Sequence, residues 1–186
     1  MKQGMGAGDT GKTRVLKRCI DKASPLIALI GHLDELNSFI GFSRSFLNAQ
    51  KREELRDLDG VLKEVQNHIF LISSELAGAK LKIKIGKREV EWLENTINKL
   101  EKELNPISHF VYPNGSIPAA SLHVARAVCR KVERIAFRVS RKEAVRNEIL
   151  SYLNRLSDLL FTIARVVNKR MSVEEEFWKV QTACRV

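Results

Sequence analysis

Apolar residues recur every three or four positions through five long segments of the chain, and this spacing constrains the fold more than any other feature. It places the apolar side chains along one face of an α-helix. The four prolines and most of the ten glycines stand near the N-terminus or in short clusters between these segments. The sequence therefore predicts an all-α fold. With 186 residues the chain can form one domain with a real core, and we expect a single domain over residues 1–186.

Turn and capping residues predict where the helices begin and end. Ser24 and Pro25 begin the first helix, Pro106 follows the third, and Ser116 caps the fourth after a Pro-Asn-Gly turn. The expected helices cover residues 24–47, 52–79, 87–104, 116–141 and 147–169. We expect them to form a bundle over residues 24–170, followed by a tail at 171–186 that is irregular or a short helix. Lysines alternate with leucine or isoleucine at 80–85, which is typical of a short strand or, as we favour, an exposed basic connection.

The first two helices carry regular core stripes. These are Leu26, Leu29, Leu33, Leu36, Ile40 and Leu47 in the first helix, and Leu55, Leu58, Leu62, Val65, Ile69, Ile72 and Leu76 in the second. The fifth helix is apolar almost all the way round, so we expect it inside the bundle. Asn154 and Asp158 in that helix would then need partners, either a ligand, the arginines of the fourth helix, or a structural hydrogen bond.

The fourth helix has two contrasting faces. An apolar stripe of Val124, Val128, Val132, Ile135 and Val139 is backed by a charged stripe of Arg126, Arg130, Glu133 and Arg134. One interpretation is a solvated helix face. The other is an anion site, because arginines spaced four residues apart can converge on several phosphate oxygens.

A second face of the first helix consists of small residues and one acid, Asp34, together with Gly31, Ser38, Gly41 and Ser45. Small residues allow another helix to approach closely, and a carboxylate in such a contact would need an arginine partner. We interpret this face as a packing or subunit interface; the alternative is a row of exposed small residues.

The N-terminal stretch GAGDTGKT at 6–13 matches the P-loop pattern GxxxxGK[ST]. Only five residues precede it, and no alternation of strands and helices follows, so we do not expect a P-loop fold. Glycine-rich backbone and basic side chains can still bind an anion. We expect residues 1–23 to be a flexible phosphate-binding loop, the alternative being a disordered basic terminus.

The formal net charge of +10 indicates an anionic partner such as a nucleotide, nucleic acid or acidic lipid. Basic residues are not interleaved with aromatics, which disfavours nucleic acid. The three cysteines are scattered, which favours reduced thiols and a cytoplasmic location. Neither a signal peptide nor a membrane span is supported by the apolar runs.

Metal and nucleophile motifs are not recognisable. The four histidines are dispersed without a Glu-x-x-His pair, and Cys129 in an apolar helix is more typical of a core residue than of a nucleophile. We therefore expect no metal centre held by protein side chains.

Five strings of the chain together resemble the PduO-type corrinoid adenosyltransferases. They are GDTGKT at 8–13, LDELNSFIG at 33–41, FVYPNGS at 110–116, LHVARAVCRKVER at 122–134 and YLNRLSDLLFTIAR at 152–165. They span most of the chain in the family's order, and the last two are highly specific.

The resemblance implies an up-and-down, left-handed five-helix bundle that assembles as a homotrimer with active sites between subunits. It implies transfer of the 5′-deoxyadenosyl group of ATP to cob(I)alamin, giving adenosylcobalamin and triphosphate, with magnesium carried by ATP. The cobalt would be the nucleophile, so the protein would need none. A corrinoid reductase and an adenosylcobalamin-dependent acceptor enzyme are the further partners it implies, with no nucleic acid and no membrane.

The resemblance also implies roles for individual residues. ATP would be bound by Gly8, Asp9, Gly11, Thr13, Arg14, Lys22, Arg130, Glu133, Arg134 and Asn154. Phe110 would stand against the corrin and exclude its lower ligand, and Arg126 would pair with Asp34 of a neighbouring subunit. Asp34, Phe110, Arg126 and Arg130 would thus form the catalytic set.

The chain departs from the family pattern at a few positions. The usual Thr-Lys-Thr-Gly opening is Met5, Gly6, Ala7 and Gly8, and an arginine is replaced by Lys131. The altered opening motivates an alternative, a corrinoid- or nucleotide-binding bundle without transferase activity. A third hypothesis, a helical bundle that binds nucleic acid, rests only on charge.

Overall fold

The computed structural model describes residues 8–16 and 18–179. Most of this part of the chain lies in five helices, which confirms the expected helical architecture. Their bounds are α1 Pro25–Ala49, α2 Arg56–Leu76, α3 Lys87–Glu101, α4 Ile117–Val139 and α5 Asn147–Arg170. A short 3-10 turn, Glu53–Leu55, precedes α2.

Helix α5 packs against α4 and α3, while α1 packs against α4 and α2. The core stripes predicted for the first two helices are buried throughout. Buried residues cover most of the circumference of α5, as the apolar pattern of this helix predicts. Asn154 is half-buried, whereas Asp158 is exposed, so the expectation that Asp158 lies inside the bundle is wrong.

The core face of α4 differs from the predicted valine stripe. Val124 is 46% exposed, whereas Ala125, Cys129 and Ala136 are fully buried together with Val132. The prediction placed the stripe on the larger apolar residues, but α4 is flanked by both α1 and α5. Small side chains on the face between two neighbours let both helices approach closely.

Four short strands add to the helices. Strands β1 (Lys12–Val15) and β2 (Arg18–Asp21) form an antiparallel hairpin, with the backbone of Arg14 opposite that of Cys19. This hairpin stands where a flexible loop was expected. Because β-branched residues such as Thr13, Val15 and Ile20 suit a strand, backbone pairing can order a segment that carries no helical pattern.

Strands β3 (Phe110–Val111) and β4 (Phe177–Trp178) pair antiparallel, with Phe110 opposite Trp178. The tail was expected to be irregular or a short helix; its described part, residues 171–179, instead contains β4, which pairs with β3 ahead of α4. The basic stretch at 80–86 forms neither helix nor strand, in agreement with the favoured interpretation, although Ile85 within it is buried.

The turn that leads into α4 is fixed by Asn168 of α5. The amide oxygen Oδ1 of Asn168 accepts hydrogen bonds from the Ser116 backbone N–H at 2.9 Å and from its hydroxyl at 3.0 Å, and Nδ2 donates to the Asn114 carbonyl at 3.2 Å. Gly115 has φ +108°, in the left-handed region that favours glycine, and lies directly against the Asn168 side chain. The amide therefore sets the start of α4 relative to α5.

The small-residue face of α1 is not covered by the described residues of the chain. Gly31, Asp34, Ser38 and Ser45 are exposed, and Gly41 is half-buried against Gln66. No helix in the described part of the chain is both long and apolar enough to cross a membrane.

Candidate functional site

The charged face of α4 carries two arginines whose charge the fold leaves unpaired. Arg130 and Arg134 are exposed, and within the described residues neither makes an ion pair or a side-chain hydrogen bond. They lie one turn apart, which places their Cβ atoms about 6 Å from each other. Two guanidinium groups at this separation can bind the oxygens of one polyphosphate chain.

The acid on the same face is engaged by α5. Glu133 Oε1 accepts a hydrogen bond from Asn154 Nδ2 at 2.7 Å. Asn154 Oδ1 in turn accepts from Arg155, whose Nε is paired with Glu94 at 2.9 Å. This network gives Asn154 a polar partner and directs the Glu133 carboxylate toward α5.

Arg126 is the unusual member of the face because it is half-buried. Its guanidinium carbon lies 6.0 Å from the centre of the Phe161 ring, and its Nε is buried with no hydrogen-bond acceptor among the described residues. Burial lowers the pKa of Arg126, and the nearby charge of Arg130 lowers it further. Arg126 also makes no ion pair and no side-chain hydrogen bond with a described residue, so the outer nitrogens of its guanidinium group, Nη1 and Nη2, are the ones that a carboxylate from another molecule can bind.

His123 lies one turn before Arg126 and is 4% exposed. Both ring nitrogens are buried without a partner in the described part of the protein, and the ring centre lies 6.0 Å from that of Phe161. Burial, with a further contribution from the Arg126 charge, lowers the pKa of His123 to about 4. The imidazole is therefore neutral near pH 7 and adds no second cation beside Arg126.

Phe110 projects from β3 with 76% of its surface exposed. Its ring centre lies 6.0 Å from that of Trp178 across the strand pair. The two rings form an exposed aromatic surface beside the turn into α4, at a position where a large flat ligand could stack.

The hairpin gathers the N-terminal residues that the resemblance assigns to ATP. Gly11 has φ +76°, its carbonyl accepts from the Lys22 backbone N–H at 2.9 Å, and a Cβ on Gly8 would meet the Lys22 ammonium at 2.9 Å. Thr13 is half-buried in β1, whereas Asp9 and Arg14 are exposed. The Gly-Lys-Thr sequence leads into a strand and not into a helix, so the interpretation against a P-loop fold is confirmed. Met5, Gly6 and Ala7, which differ from the family pattern, lie outside the described residues.

The structure thus brings together part of the predicted site. Five of the predicted residues lie in one region where α4 packs against α5: Arg126, Arg130, Glu133, Arg134 and Asn154. The hairpin, Asp34 on α1 and Phe110 on β3 form separate groups, and no hydrogen bond or ion pair between described residues joins them to the arginines. Lys131, which stands where the family pattern has arginine, pairs with Glu35 of α1 at 2.7 Å.

Sequence reasoning missed four residues of this region: His123, Phe161, Arg165 and Asn168. Each is buried or half-buried in an apolar helix, where its contacts depend on which neighbour it faces. The available signal was a set of polar residues within otherwise apolar helices, which must find partners or a ligand.

The described residues contain no group of three His, Cys, Asp or Glu side chains placed to hold a metal ion. Cys129 lies in the core, where its Sγ donates to the Leu153 carbonyl at 3.4 Å. Burial raises the pKa of the Cys129 thiol well above its usual range.

Because the thiolate is the reactive form, alkylation of the native protein at pH 8 is expected to modify exposed Cys19 and to spare Cys129. Peptide mass spectrometry after timed alkylation measures both sites in one sample, and alkylation in denaturant provides the control that both peptides can be labelled. Equal labelling of the two native thiols would show that Cys129 is not a core residue.

Comparisons with known proteins place the chain among relatives of one family. The family model for cobalamin adenosyltransferase matches residues 4–167. The corrinoid adenosyltransferase of Bacillus subtilis is 36% identical over 168 residues, which cover 89% of this chain and 86% of the relative. The cobalamin adenosyltransferase of Cupriavidus metallidurans is 33% identical over 173 residues, which cover 92% of this chain and 91% of the relative. A variant of the PduO-type ATP:corrinoid adenosyltransferase of Lactobacillus reuteri, solved with cobalamin and ATP, superposes with a TM-score of 0.86 at 30% identity, covering 96% and 97% of the two chains.

Proposed function

Since the chain belongs to the cobalamin adenosyltransferase family and is an enzyme that transfers an adenosyl group from ATP to a corrinoid, we propose that the region between α4 and α5 binds the nucleotide for this transfer. The observation that carries the proposal is the pair of exposed, unneutralised arginines, Arg130 and Arg134, beside the Glu133–Asn154 hydrogen bond.

The triphosphate is the leaving group, and its stabilisation is the main work of the protein. Arg130 and Arg134 bind its oxygens, and the Glu133–Asn154 hydrogen bond holds the α4 side of the site in register with α5. The hairpin closes over the phosphates through the backbone N–H groups near Gly8 and Gly11 and through Thr13, Arg14 and Lys22, with Asp9 at its rim.

The reaction needs no nucleophile from the protein. The cobalt of cob(I)alamin supplies the electron pair that forms the bond to C5′ of the ribose, and the C5′–O bond breaks with its electrons passing to the triphosphate. A buried Cys129 thiol is consistent with this division of work. The protein contributes by positioning the two substrates and neutralising the developing charge.

Magnesium enters with the nucleotide in this proposal. Mg²⁺ keeps several waters and is commonly bound through substrate phosphates together with one or two carboxylates. Its charge adds to that of Arg130 and Arg134 on the leaving triphosphate.

The corrin occupies the side of the site formed by Phe110, whose exposed ring stands against the lower face and excludes an axial ligand. We place Asp34 of a neighbouring subunit against Arg126, in a homotrimer of up-and-down bundles with active sites between subunits. Two observations support this: the small-residue face of α1 is uncovered, and the Nε of Arg126 lacks an acceptor among the described residues.

A corrinoid reductase that supplies cob(I)alamin and an acceptor enzyme that uses adenosylcobalamin complete the set of partners. Reduced cysteines and a strongly reducing substrate favour the cytoplasm.

An anaerobic assay with chemically reduced cobalamin, ATP and magnesium tests the proposal. Loss of the cob(I)alamin absorption with formation of adenosylcobalamin is expected. If both substrates bind but no cobalt–carbon bond forms, the chain is a carrier that has lost transfer activity. Salt-sensitive binding of DNA or RNA that ATP does not displace would point to a nucleic-acid function instead.

The intersubunit ion pair makes a separate prediction. Asp34→Ala and Arg126→Ala are each expected to raise the KM for cob(I)alamin by about 10–100-fold, because one charged partner is left unpaired. The double variant is expected to be no worse than either single variant, since both remove the same contact. Steady-state kinetics with varied corrinoid measures the three effects, with Ser38→Ala on the same face of α1 as the control. Additive losses, or normal kinetics and normal assembly for Asp34→Ala, would remove the proposed pair.

A further inference from the structure

The C-terminal strand is attached to the strand that carries Phe110. Besides the β3–β4 register, the Tyr112 backbone N–H donates to the Glu176 carbonyl at 2.9 Å, and the Phe110 and Trp178 rings lie against each other. A pair of two-residue strands is too short to be stable alone. Something else must hold these two segments, which are distant in sequence, in place.

One guanidinium group holds both segments. Arg165 of α5 is 7% exposed, and its Nη2 donates to the Asn105 carbonyl at 2.9 Å and to Glu175 Oε2 at 3.0 Å. Its Nε donates to Glu175 Oε1 at 2.7 Å, which completes a two-point ion pair. Asn105 precedes β3 in the chain and Glu175 precedes β4, so Arg165 fixes the approach to each strand.

The same group is part of the wall behind the candidate site. The Arg165 guanidinium carbon lies 5.9 Å from the centre of the Phe161 ring, and Arg126 faces that ring at 6.0 Å. The anchor of the C-terminal strand is therefore continuous with the region assigned to substrate binding.

We infer that Arg165 and Glu175 are positioning residues for the corrin: their buried ion pair holds β4 against β3 and thereby sets the place of Phe110. This inference rests on the proposed role of Phe110. It gives the C-terminal segment, which the sequence left without a function, a part in the binding of the corrinoid and none in the binding of ATP.

The chain offers a matched control at another place. Arg146 donates to both carboxylate oxygens of Glu75, at 2.6 and 2.9 Å, and to the Ile85 carbonyl at 2.7 Å. Its design is the same as that of the Arg165 anchor, a two-point ion pair plus a backbone carbonyl, and Glu75 is comparably buried. Glu75→Ala therefore removes a similar ion pair without touching β3 or β4.

For Glu175→Ala we expect the KM for cob(I)alamin to rise about tenfold while the KM for ATP changes less than about twofold, since only the corrin side is displaced. The fraction of bound cob(II)alamin that lacks its lower axial ligand is expected to fall, as read from its absorption spectrum. Hydrogen exchange at the Tyr112 amide is expected to accelerate. Glu175→Gln, which retains acceptor and shape, is expected to recover most of the loss, and Glu75→Ala is expected to show none of these changes.

An unchanged corrinoid KM and spectrum in Glu175→Ala, while Phe110→Ala is impaired, would overturn this inference alone. The same corrin defect in Glu75→Ala would also overturn it, because general loss of stability would then be the cause. Failure of the unaltered enzyme to form adenosylcobalamin, or normal corrin binding by Phe110→Ala, would overturn the proposed function and this inference together.

Discussion

Arg130→Ala is expected to lower kcat by about 10²–10³-fold, the range seen when a donor that stabilises transition-state charge is removed. Arg130 is exposed on α4 and makes no ion pair or side-chain hydrogen bond with a described residue, and under the proposed function its guanidinium group binds the leaving triphosphate. Charge on the triphosphate grows as the C5′–O bond breaks, so the loss should appear in kcat and not only in the KM for ATP. Steady-state kinetics with both substrates varied measures the two effects separately.

The control for Arg130 is Arg138→Ala on the same helix. Arg138 is also exposed, and it lies two turns further along α4, about 12 Å from Arg130. Its removal changes the net charge by the same amount and should leave kcat within about twofold, since a distant exposed charge is screened. Normal turnover in Arg130→Ala, or an equal loss in Arg138→Ala, would remove the specific role of Arg130 on the triphosphate.

Gly115→Ala is expected to lower the free energy of unfolding by about 2–5 kcal/mol, combining a strained left-handed backbone with a steric clash. An added Cβ would lie closer to the Asn168 amide than any real contact, so Asn168 would have to move and its hydrogen bonds to Ser116 would break. Denaturant unfolding at a fixed protein concentration measures the change.

Gly60→Ala is the matched control for the change at Gly115. Gly60 is exposed in the second turn of α2, and an added Cβ there meets no atom within 4 Å. Alanine in a helix interior is favoured over glycine by about 0.5–1 kcal/mol, so the control should be stabilised. Equal effects of the two substitutions would show that the turn before α4 is not fixed by Asn168.

The helices could be predicted because their signals are local. Ser24 with Pro25 and Ser116 with Pro118 mark two helix starts, and leucine spacing alone identifies the buried face of α1 and α2. Helix α4 shows where this reasoning ends. Its core face combines Leu122, Val132 and Val139 with Ala125, Cys129 and Ala136, and the last three are small enough to be overlooked by a search for large apolar residues.

Strands β3 and β4 could not be predicted because their pairing is not local. Phe110 and Trp178 are paired in space but are separated in the sequence by the whole of α4 and α5. Each strand also has only two residues, too few to show the alternation that predicts a strand. The same holds for Arg165. Its partners, the Asn105 carbonyl and Glu175, lie far from it along the sequence or beyond the end of its helix, and only the folded chain brings them together.

The candidate site was predictable in part. The charged face of α4 follows from helical periodicity, and the resemblance supplied the link to ATP and to the corrin. Periodicity could not show which of these charged side chains are hydrogen-bonded, buried or exposed. The structure pairs Glu133 with Asn154, buries the Nε of Arg126 and leaves Arg130 and Arg134 exposed, and these differences decide which groups are available to substrates.

The most direct test of the account is the ratio of the two products formed in a single turnover. The reaction is run anaerobically with cob(I)alamin, ATP and magnesium, and with the enzyme in excess. Absorbance gives the adenosylcobalamin formed, and phosphorus NMR identifies the phosphate product. The account predicts one intact triphosphate for each adenosylcobalamin, because the cobalt attacks C5′ and the whole triphosphate leaves. Release of diphosphate or ADP, or phosphate release without a cobalt–carbon bond, would contradict it.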